Sequence, residues 1–514
     1  MSSQSGIYLE EQRALEKPKS RPWWKFFDEY EHRDEKKGRI FVRWFDKSDT
    51  PAERRLLFKL DILITVFSLV CYWVKSLDQN NINNAYVSGM EEELQLEGNS
   101  LVHLQIMYNV GCTAFQLPFM YLFPIVRMEL FIPGMDILWG FFTLAQYKAQ
   151  NKAQMMALRF LIGCAEATFF PGVHYVLGSW FKADEIGRRG GIFYIGVYLG
   201  SLTAGLLQST IYEHLNGVHG LSGWRWMFII DAAITIPIGV IGFFLWPGTP
   251  EKCHSLFLTA EEIQLAKKRM QRNGTKLNHK KSSFDKAMFK RIFTSWHVYV
   301  LTFWDVLFWN SGGSGTAGAF VIWLKSLDMY SIPKINNFSA IPPALGIFYL
   351  FIICGGSDIF RSRWFFLCLS QSLNFLGQII LAVWEVPFGA KWFAYCLQYF
   401  SSAMSSVLYG WTNDILRHDP FYRSIILIIM NACAQGSQVF IPLLVWPTVD
   451  KPRYHKGYIY GSTISSLLVV WTIVVLWFYK RDEKIHALNR KLTEDDSSDA
   501  DDIIKEELTE KEKN

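Results

Sequence analysis

Apolar runs of about 20 residues recur along the chain, each long enough to cross a bilayer as a helix. They predict roughly twelve spans, near 57–80, 101–123, 131–148, 154–178, 189–212, 226–246, 296–324, 341–357, 364–384, 390–416, 423–447 and 457–480. Charged residues crowd instead into 1–59, 247–291 and 480–514. The pattern predicts an all-α polytopic membrane protein, divided six and six by its longest internal loop. The expected parts are a tail (1–56), a six-helix bundle (57–246), a central loop (247–295), a second bundle (296–480) and an acidic tail (481–514). Within the loop, "LTAEEIQLAKKRM" opens with a capping box, Thr259 to Glu262, and reads as an amphipathic surface helix. The acidic tail is expected to be disordered.

Loop charge orients the spans. The first tail and the loops after spans 4, 6 and 8 carry Lys and Arg, whereas "DQNNINNAYVSGMEEELQLEGNS", read as the loop after span 1, carries none. Both termini are therefore expected on the cytoplasmic side, with "DKPRYHKGY" a mild exception. The N-terminus lacks an early apolar segment of the signal-peptide kind, so span 1 is expected to act as its own insertion signal. The net charge of +5 lies beside the spans and points to no nucleic-acid partner. The eight cysteines are scattered without metal spacing and read as small buried hydrophobes.

A weak repeat relates the halves. Asp184 and Arg188 follow span 4, and Asp419 and Arg423 follow span 10, each pair spaced D-x-x-x-R before an apolar run. Two parallel six-span halves are the architecture of a major facilitator transporter, with its site near the midplane. The same offset sets Asn310-Ser311-Gly312-Gly313 of span 7 opposite Lys75–Asp78 of span 1. Such breaks mark either a binding site or merely a loop end.

The candidate chemistry lies in ionisable residues that lipid would penalise. In "FSLVCYWVKSLDQNN", Lys75 and Asp78 share one helical face, and Gln79 lies a turn beyond Lys75. Either the helix ends there and both charges reach the surface, or they face a polar cavity. In span 4, Arg159 and Glu166 stand i,i+7 on one face, forming a functional pair or a structural one, while His174 reads as structural. Further polar candidates are Tyr108 and Asn109 in span 2, Asp305, Trp309 and Asn310 in span 7, and Tyr409, Trp411, Asn413 and Asp414 in span 10. Glycines 191, 196, 200 and 205 predict close helix packing along span 5. No nucleotide-binding, zinc or catalytic-triad pattern occurs in a credible context, so neither an enzyme nor a cofactor is expected.

"RFLIGCAEATFFPGVHYVLGSWF", "GLSGWRWMFIID", "LTAEEIQLAKKRM" and "KLDILITVFSLVCYWVKSLDQNN" together resemble the fungal allantoate permease family, in the anion/cation symporter branch of the major facilitator superfamily. The resemblance covers roughly residues 50–480. It implies a monomeric plasma-membrane carrier that takes up a small organic anion with protons. It implies proton-coupling roles for Asp78 and Glu166 and anion binding by Arg159, with Lys75, Gln79, Tyr108, Trp309, Asn310 and Asn413 completing the expected substrate site. The family usually has Arg where this chain has Gln79; here a cation stands one turn earlier, at Lys75. A partial copy of the loop signature survives at Asp358, Arg361 and Arg363, so Asp184, Arg188, Asp358, Arg361, Asp419 and Arg423 are expected at the gating loops. The opening tail resembles members that carry pantothenate or biotin. Pantothenate is the expected cargo, with biotin, allantoate, nicotinate or a dipeptide as alternatives. A sensor that binds without transporting is the alternative of another class.

Overall fold

A computed structural model describes residues 23–29, 31, 44–45, 49–272, 286–313, 317–417 and 420–511. Every regular element among them is helical. Nine helices are long and apolar enough to cross a membrane: Pro51–Glu93, Met128–Lys148, Lys152–Trp180, Arg189–Leu215, Gly223–Leu245, Ile332–Phe360, Arg363–Val383, Ile425–Val445 and His455–Leu488. They match expected spans 1, 3–6, 8, 9, 11 and 12. Span 2 is the helix Ser100–Leu122. Span 7 is broken into Trp296–Asn310 and Ala319–Ser326, and span 10 into Phe388–Leu397, Phe400–Ala403 and Ser405–Ile415. The break in span 7 falls at the Asn-Ser-Gly-Gly stretch flagged in the sequence.

Span 1 runs well past its expected end. It starts at a capping box between Thr50 and Glu53 and continues through the asparagine-rich stretch to Glu93, bending at Gly89, where φ is 111°. Nothing in "DQNNINNAY" breaks a helix, and its amides find partners inside the bundle. Asn80 Nδ2 donates to the Ser76 carbonyl at 2.7 Å and to Ser201 Oγ at 2.9 Å, and Asn81 Nδ2 donates to Asp231 Oδ2 at 2.8 Å. The acidic tail also departs from expectation, continuing the last helix to Lys511. Residues 481–511 contain neither Gly nor Pro, and their Glu and Lys are good helix formers.

The two halves pack by the same rule. Spans 1 and 5, 2 and 4, and 3 and 6 are neighbours in the first half; spans 7 and 11, 8 and 10, and 9 and 12 are neighbours in the second. Spans 2 and 11, and spans 5 and 8, meet across the halves. This pairing repeats after six spans, as a parallel duplication requires. The 1–5 contact is set by glycine. A Cβ on Gly200 would lie 2.5 Å from Ser76 Cβ and from the Trp73 carbonyl oxygen, and one on Gly196 would lie 2.6 Å from the Leu69 carbonyl oxygen. Gly191 is different: its nearest neighbour is Ser406 Oγ at 4.0 Å.

The end that carries both tails is held by ion pairs within each half. Beside the first half, Arg189 Nε meets Asp61 Oδ1 at 2.6 Å, and Arg269 of the helix Ala260–Arg272 reaches Glu185 and Asp49. The capping box foreseen for that helix is present, with Glu262 N 3.2 Å from Thr259 Oγ1. Beside the second half, the short helix Trp23–Phe27 docks through Phe27 against Trp364, with ring centroids 4.8 Å apart. Lys480 Nζ donates to the Lys25 carbonyl at 2.6 Å and meets Glu31 at 2.7 Å, and the Arg363 amide donates to Glu29 at 2.8 Å. Burial, opposed by Arg363, pushes the Glu29 carboxyl up to about 7.

Two outcomes are expected. Gly200→Ala should lower thermal stability and the amount inserted in the membrane, and Gly191→Ala should change neither; equal melting curves in detergent would reject the packing argument. The protonated form of Glu29 favours docking. Protection of residues 23–29 should therefore be full below about pH 4.5 and fade as pH rises through about 7, a dependence lost in Glu29→Gln, as hydrogen exchange would show.

Candidate functional site

Spans 1 and 4 carry four ionisable side chains into the bundle, and all four are buried. They pair crosswise. Lys75 Nζ lies 3.6 Å from Glu166 Oε2 and donates to the Glu166 carbonyl at 3.3 Å, while Arg159 Nη1 lies 3.8 Å from Asp78 Oδ2. The i,i+3 spacing on span 1 and the i,i+7 spacing on span 4 make this crossing possible. Both pairs are looser than the ~2.7–2.9 Å of a tight charge-assisted bond, so each cation has room to change partner.

Span 2 closes the group. Gly163 lets the Tyr108 backbone approach span 4, since a Cβ there would collide with the Tyr108 carbonyl. Tyr108 then donates its hydroxyl to Glu166 Oε2 at 2.5 Å, and Gln79 Nε2 reaches the same oxygen at 3.1 Å and also meets the Tyr108 hydroxyl. The Arg159 guanidinium sits 5.0 Å from the Tyr108 ring centroid, and Lys75 Nζ 5.6 Å from that of Phe169. Lys75, Asp78, Gln79, Tyr108, Arg159 and Glu166 thus form one cluster of two cations, two acids, an amide and a phenol.

The other expected substrate residues lie in the second half with partners of their own. Trp309 Nε1 donates to the Tyr409 hydroxyl at 3.0 Å, Asn310 Nδ2 donates to Ser437 at 2.8 Å, and Asn413 Nδ2 returns to the Tyr409 carbonyl at 2.8 Å. Links between the halves run through Phe170 and Tyr409, whose rings are 6.4 Å apart, and through Asn109, which donates to the Gln438 carbonyl at 3.2 Å. His174 Nδ1 lies 2.9 Å from the Phe170 carbonyl, a structural contact. Asp414 pairs with Arg363 at 2.6 Å, and Asp305 is fully buried in span 7.

Of the expected gating residues, the side chains of Asp184 and Arg188, and the whole of Asp419, lie outside what the structure describes. Their neighbours Glu185 and Arg189 carry the ion pairs there. Asp358 is exposed, Arg361 caps its helix in the left-handed region at φ 51°, and Arg423 is half-buried at the start of span 11.

Three features escaped the sequence reading. Asp136 of span 3 and Asp231 of span 6 are buried beside the cluster. Both are single acids in apolar runs, and Asp231 ends the string "GWRWMFIID", so the rule applied to span 4 would have flagged them. The third is a bridge at the end opposite the tails. There Glu91 pairs with both Lys451 and Lys325 (3.4 Å to the latter), and Glu92 with Lys325 at 2.7 Å, joining the end of span 1 to the second half. Glu93 anchors the same segment to span 6 through Trp224 Nε1 at 2.6 Å and Arg225 at 2.8 Å.

Residues 68–442 match the model of the Major Facilitator Superfamily. The chain belongs to that superfamily. As a member it is a membrane transporter and not an enzyme. It is 42% identical to the vitamin H transporter of Saccharomyces cerevisiae over 94% of this chain and 83% of the relative. It is 34% identical to the pantothenate transporter liz1 of Schizosaccharomyces pombe over 88% and 87%. Among solved structures, the xylose transporter XylE of E. coli superposes with a TM-score of 0.59 at 13% identity, over 80% of this chain and 97% of that one. That likeness concerns the fold alone.

Glu91→Gln takes away the carboxylate that both lysines share. It is expected to speed alkylation of a cysteine placed at Asn83 by an impermeant maleimide, in a background freed of the eight native cysteines. An unchanged rate would mean that these pairs do not hold the end shut.

Proposed function

We propose that the chain carries a vitamin carboxylate into the cell across the plasma membrane together with protons, with vitamin H (biotin) as first choice of cargo and pantothenate as second. The observation that carries this is the crossed pairing of Lys75 with Glu166 and Arg159 with Asp78: two buried cations, each loosely held by a carboxylate that a proton would neutralise. The cargo ranking rests on the higher identity to the vitamin H transporter, over nearly the whole chain. Both vitamins present a single carboxylate on an otherwise uncharged body.

The cycle follows from charge balance. A proton arriving at Glu166 frees Lys75, and one arriving at Asp78 frees Arg159. The freed cations hold the vitamin carboxylate, Arg159 through its planar fork and Lys75 as a point charge. Gln79 and Tyr108 keep Glu166 in place through either state. With the tails assigned to the cytoplasm by loop charge, the end closed by Glu91, Glu92, Lys325 and Lys451 is the outer one. The two bundles, residues 57–246 and 296–480, then rock about the site, and breaking those pairs reopens it outward.

Cells lacking their own carriers but expressing this chain should accumulate labelled biotin. Uptake should fall as external pH rises from about 5 to 7.5 and should collapse with a protonophore, because the coupling acids then lack a proton supply. Accumulation that survives the protonophore would reject proton coupling. Uptake of pantothenate unaffected by excess biotin would reverse the cargo order, and binding without flux would indicate a sensor. Arg159→Ala and Glu166→Gln should abolish accumulation at normal surface expression. Lys75→Ala should weaken anion binding severely, and Lys75→Asn with Gln79→Arg should recover it; wild-type transport by Lys75→Ala would leave Lys75 a structural charge.

A further inference from the structure

Biotin and pantothenate each carry one carboxylate, so the cation cluster by itself does not tell them apart. Discrimination needs polar groups that meet the uncharged body of the cargo. The seam between spans 2 and 11, where the two halves touch, supplies such groups.

The seam is built of amides at matched spacing. Asn109 and Gln116 stand i,i+7 on span 2, and Asn431 and Gln438 stand i,i+7 on span 11. Each pair therefore shares a helical face, with about 10 Å of axis between its members. The amides meet across the halves as two rungs. In the first rung Asn109 donates to the Gln438 carbonyl at 3.2 Å, Gln438 Nε2 donates to Asn310 Oδ1 at 3.1 Å, and Asn310 donates onward to Ser437 at 2.8 Å. In the second rung Gln116 Nε2 donates to Asn431 Oδ1, and there the chain of bonds stops. Gln116 Oε1 and Asn431 Nδ2 make no hydrogen bond, although the two residues are only 3% and 6% exposed. A buried acceptor and a buried donor left unpaired are costly, and a group that offers both partners would satisfy them. Between the rungs Gly436 faces Thr113, whose hydroxyl also makes no hydrogen bond. A Cβ on Gly436 would lie 3.9 Å from Thr113 Cγ2, so the helices are not pressed together at this level as they are at Gly163.

The second rung stands in reach of the cluster. Gln116 follows Tyr108, which donates to Glu166, by eight residues, or about 12 Å of helix. That separation suits an extended biotin, with its carboxylate at one end and its cyclic urea at the other. One edge of a cyclic urea carries an N–H and a C=O side by side, the complement of the unpaired acceptor and donor. The secondary amide of pantothenate is trans, so its N–H and C=O lie on opposite edges and it meets only one of the two. We infer that Gln116 and Asn431 determine specificity by binding the cyclic urea of the cargo, Gln116 Oε1 accepting its N–H and Asn431 Nδ2 donating to its carbonyl. The inference rests on the carrier reading above and gives its cargo order a physical cause. The Gln116–Asn431 bond joins the halves, so it parts when they rock, and the urea enters between the two amides.

The test is competition against labelled biotin on the purified full-length protein, with biotin, pantothenate and nonanoate as competitors. Nonanoate is a chain carboxylate without a urea. Gln116→Leu and Asn431→Leu should each weaken biotin about tenfold and leave nonanoate unchanged, so that the lead of biotin over both rivals shrinks. Exchanging the residues, Gln116→Asn with Asn431→Gln, keeps both amides on the seam and should keep the wild-type ranking. Leucine variants that retain the wild-type ratio of biotin to nonanoate overturn the inference, as do variants that weaken all three competitors equally. The seam then only ties the halves together, and the carrier reading stands. A wild type that binds neither vitamin overturns the carrier reading instead. If the leucine variants do not insert, the wild type decides: biotin methylated at both urea nitrogens should compete about tenfold less well than biotin, and equal competition would reject the urea contact.

Discussion

A charge left alone in the middle of a bilayer costs several kcal/mol, and this protein buries six ionisable side chains in one small region. The bundle is arranged around keeping them in company. Span 1 brings one cation and one acid, span 4 brings the complementary pair, and the two helices lie so that each cation faces the other helix's acid. Removing any one of the four strands its partner in a medium that cannot solvate it. The same constraint explains why neighbouring spans contribute amides and a phenol at this depth. Gln79, Asn81 and Tyr108 fill lone pairs that water would otherwise serve.

Packing turns this arrangement into a device with two ends. Glycines at 163, 196 and 200 let spans 2 and 4, and spans 1 and 5, approach backbone to backbone, which fixes the depth of the cluster. The end with the tails is held by ion pairs inside each half, whereas the opposite end is held by pairs between the halves. Bonds within a half travel with it when it moves. Bonds between halves have to break. The distribution of salt bridges therefore says which end is shut in this conformation. Residues of the first tail dock on the same end of the second half, through Phe27, Glu29 and Lys480.

The sequence by itself determined the all-helical class, the count and order of the spans, the six-and-six division and the surface helix with its capping box. It did so because apolar length, loop charge and capping are local properties. It also pointed to Lys75, Asp78, Arg159 and Glu166, since an ionisable residue in an apolar run needs a reason wherever it is. What it left open was company. Whether Arg159 serves Glu166, its neighbour on the same face, or Asp78 on another helix depends on how spans 1 and 4 cross, and only the tertiary structure decided for Asp78. The end of span 1 was misplaced because asparagines read as a loop when their partners, Ser201, Asp231 and Gln105, lie on other helices. Asp136 and Asp231 lie beside the site, and Glu91 meets Lys325 and Lys451, through contacts made in space between residues that hundreds of positions along the chain can separate.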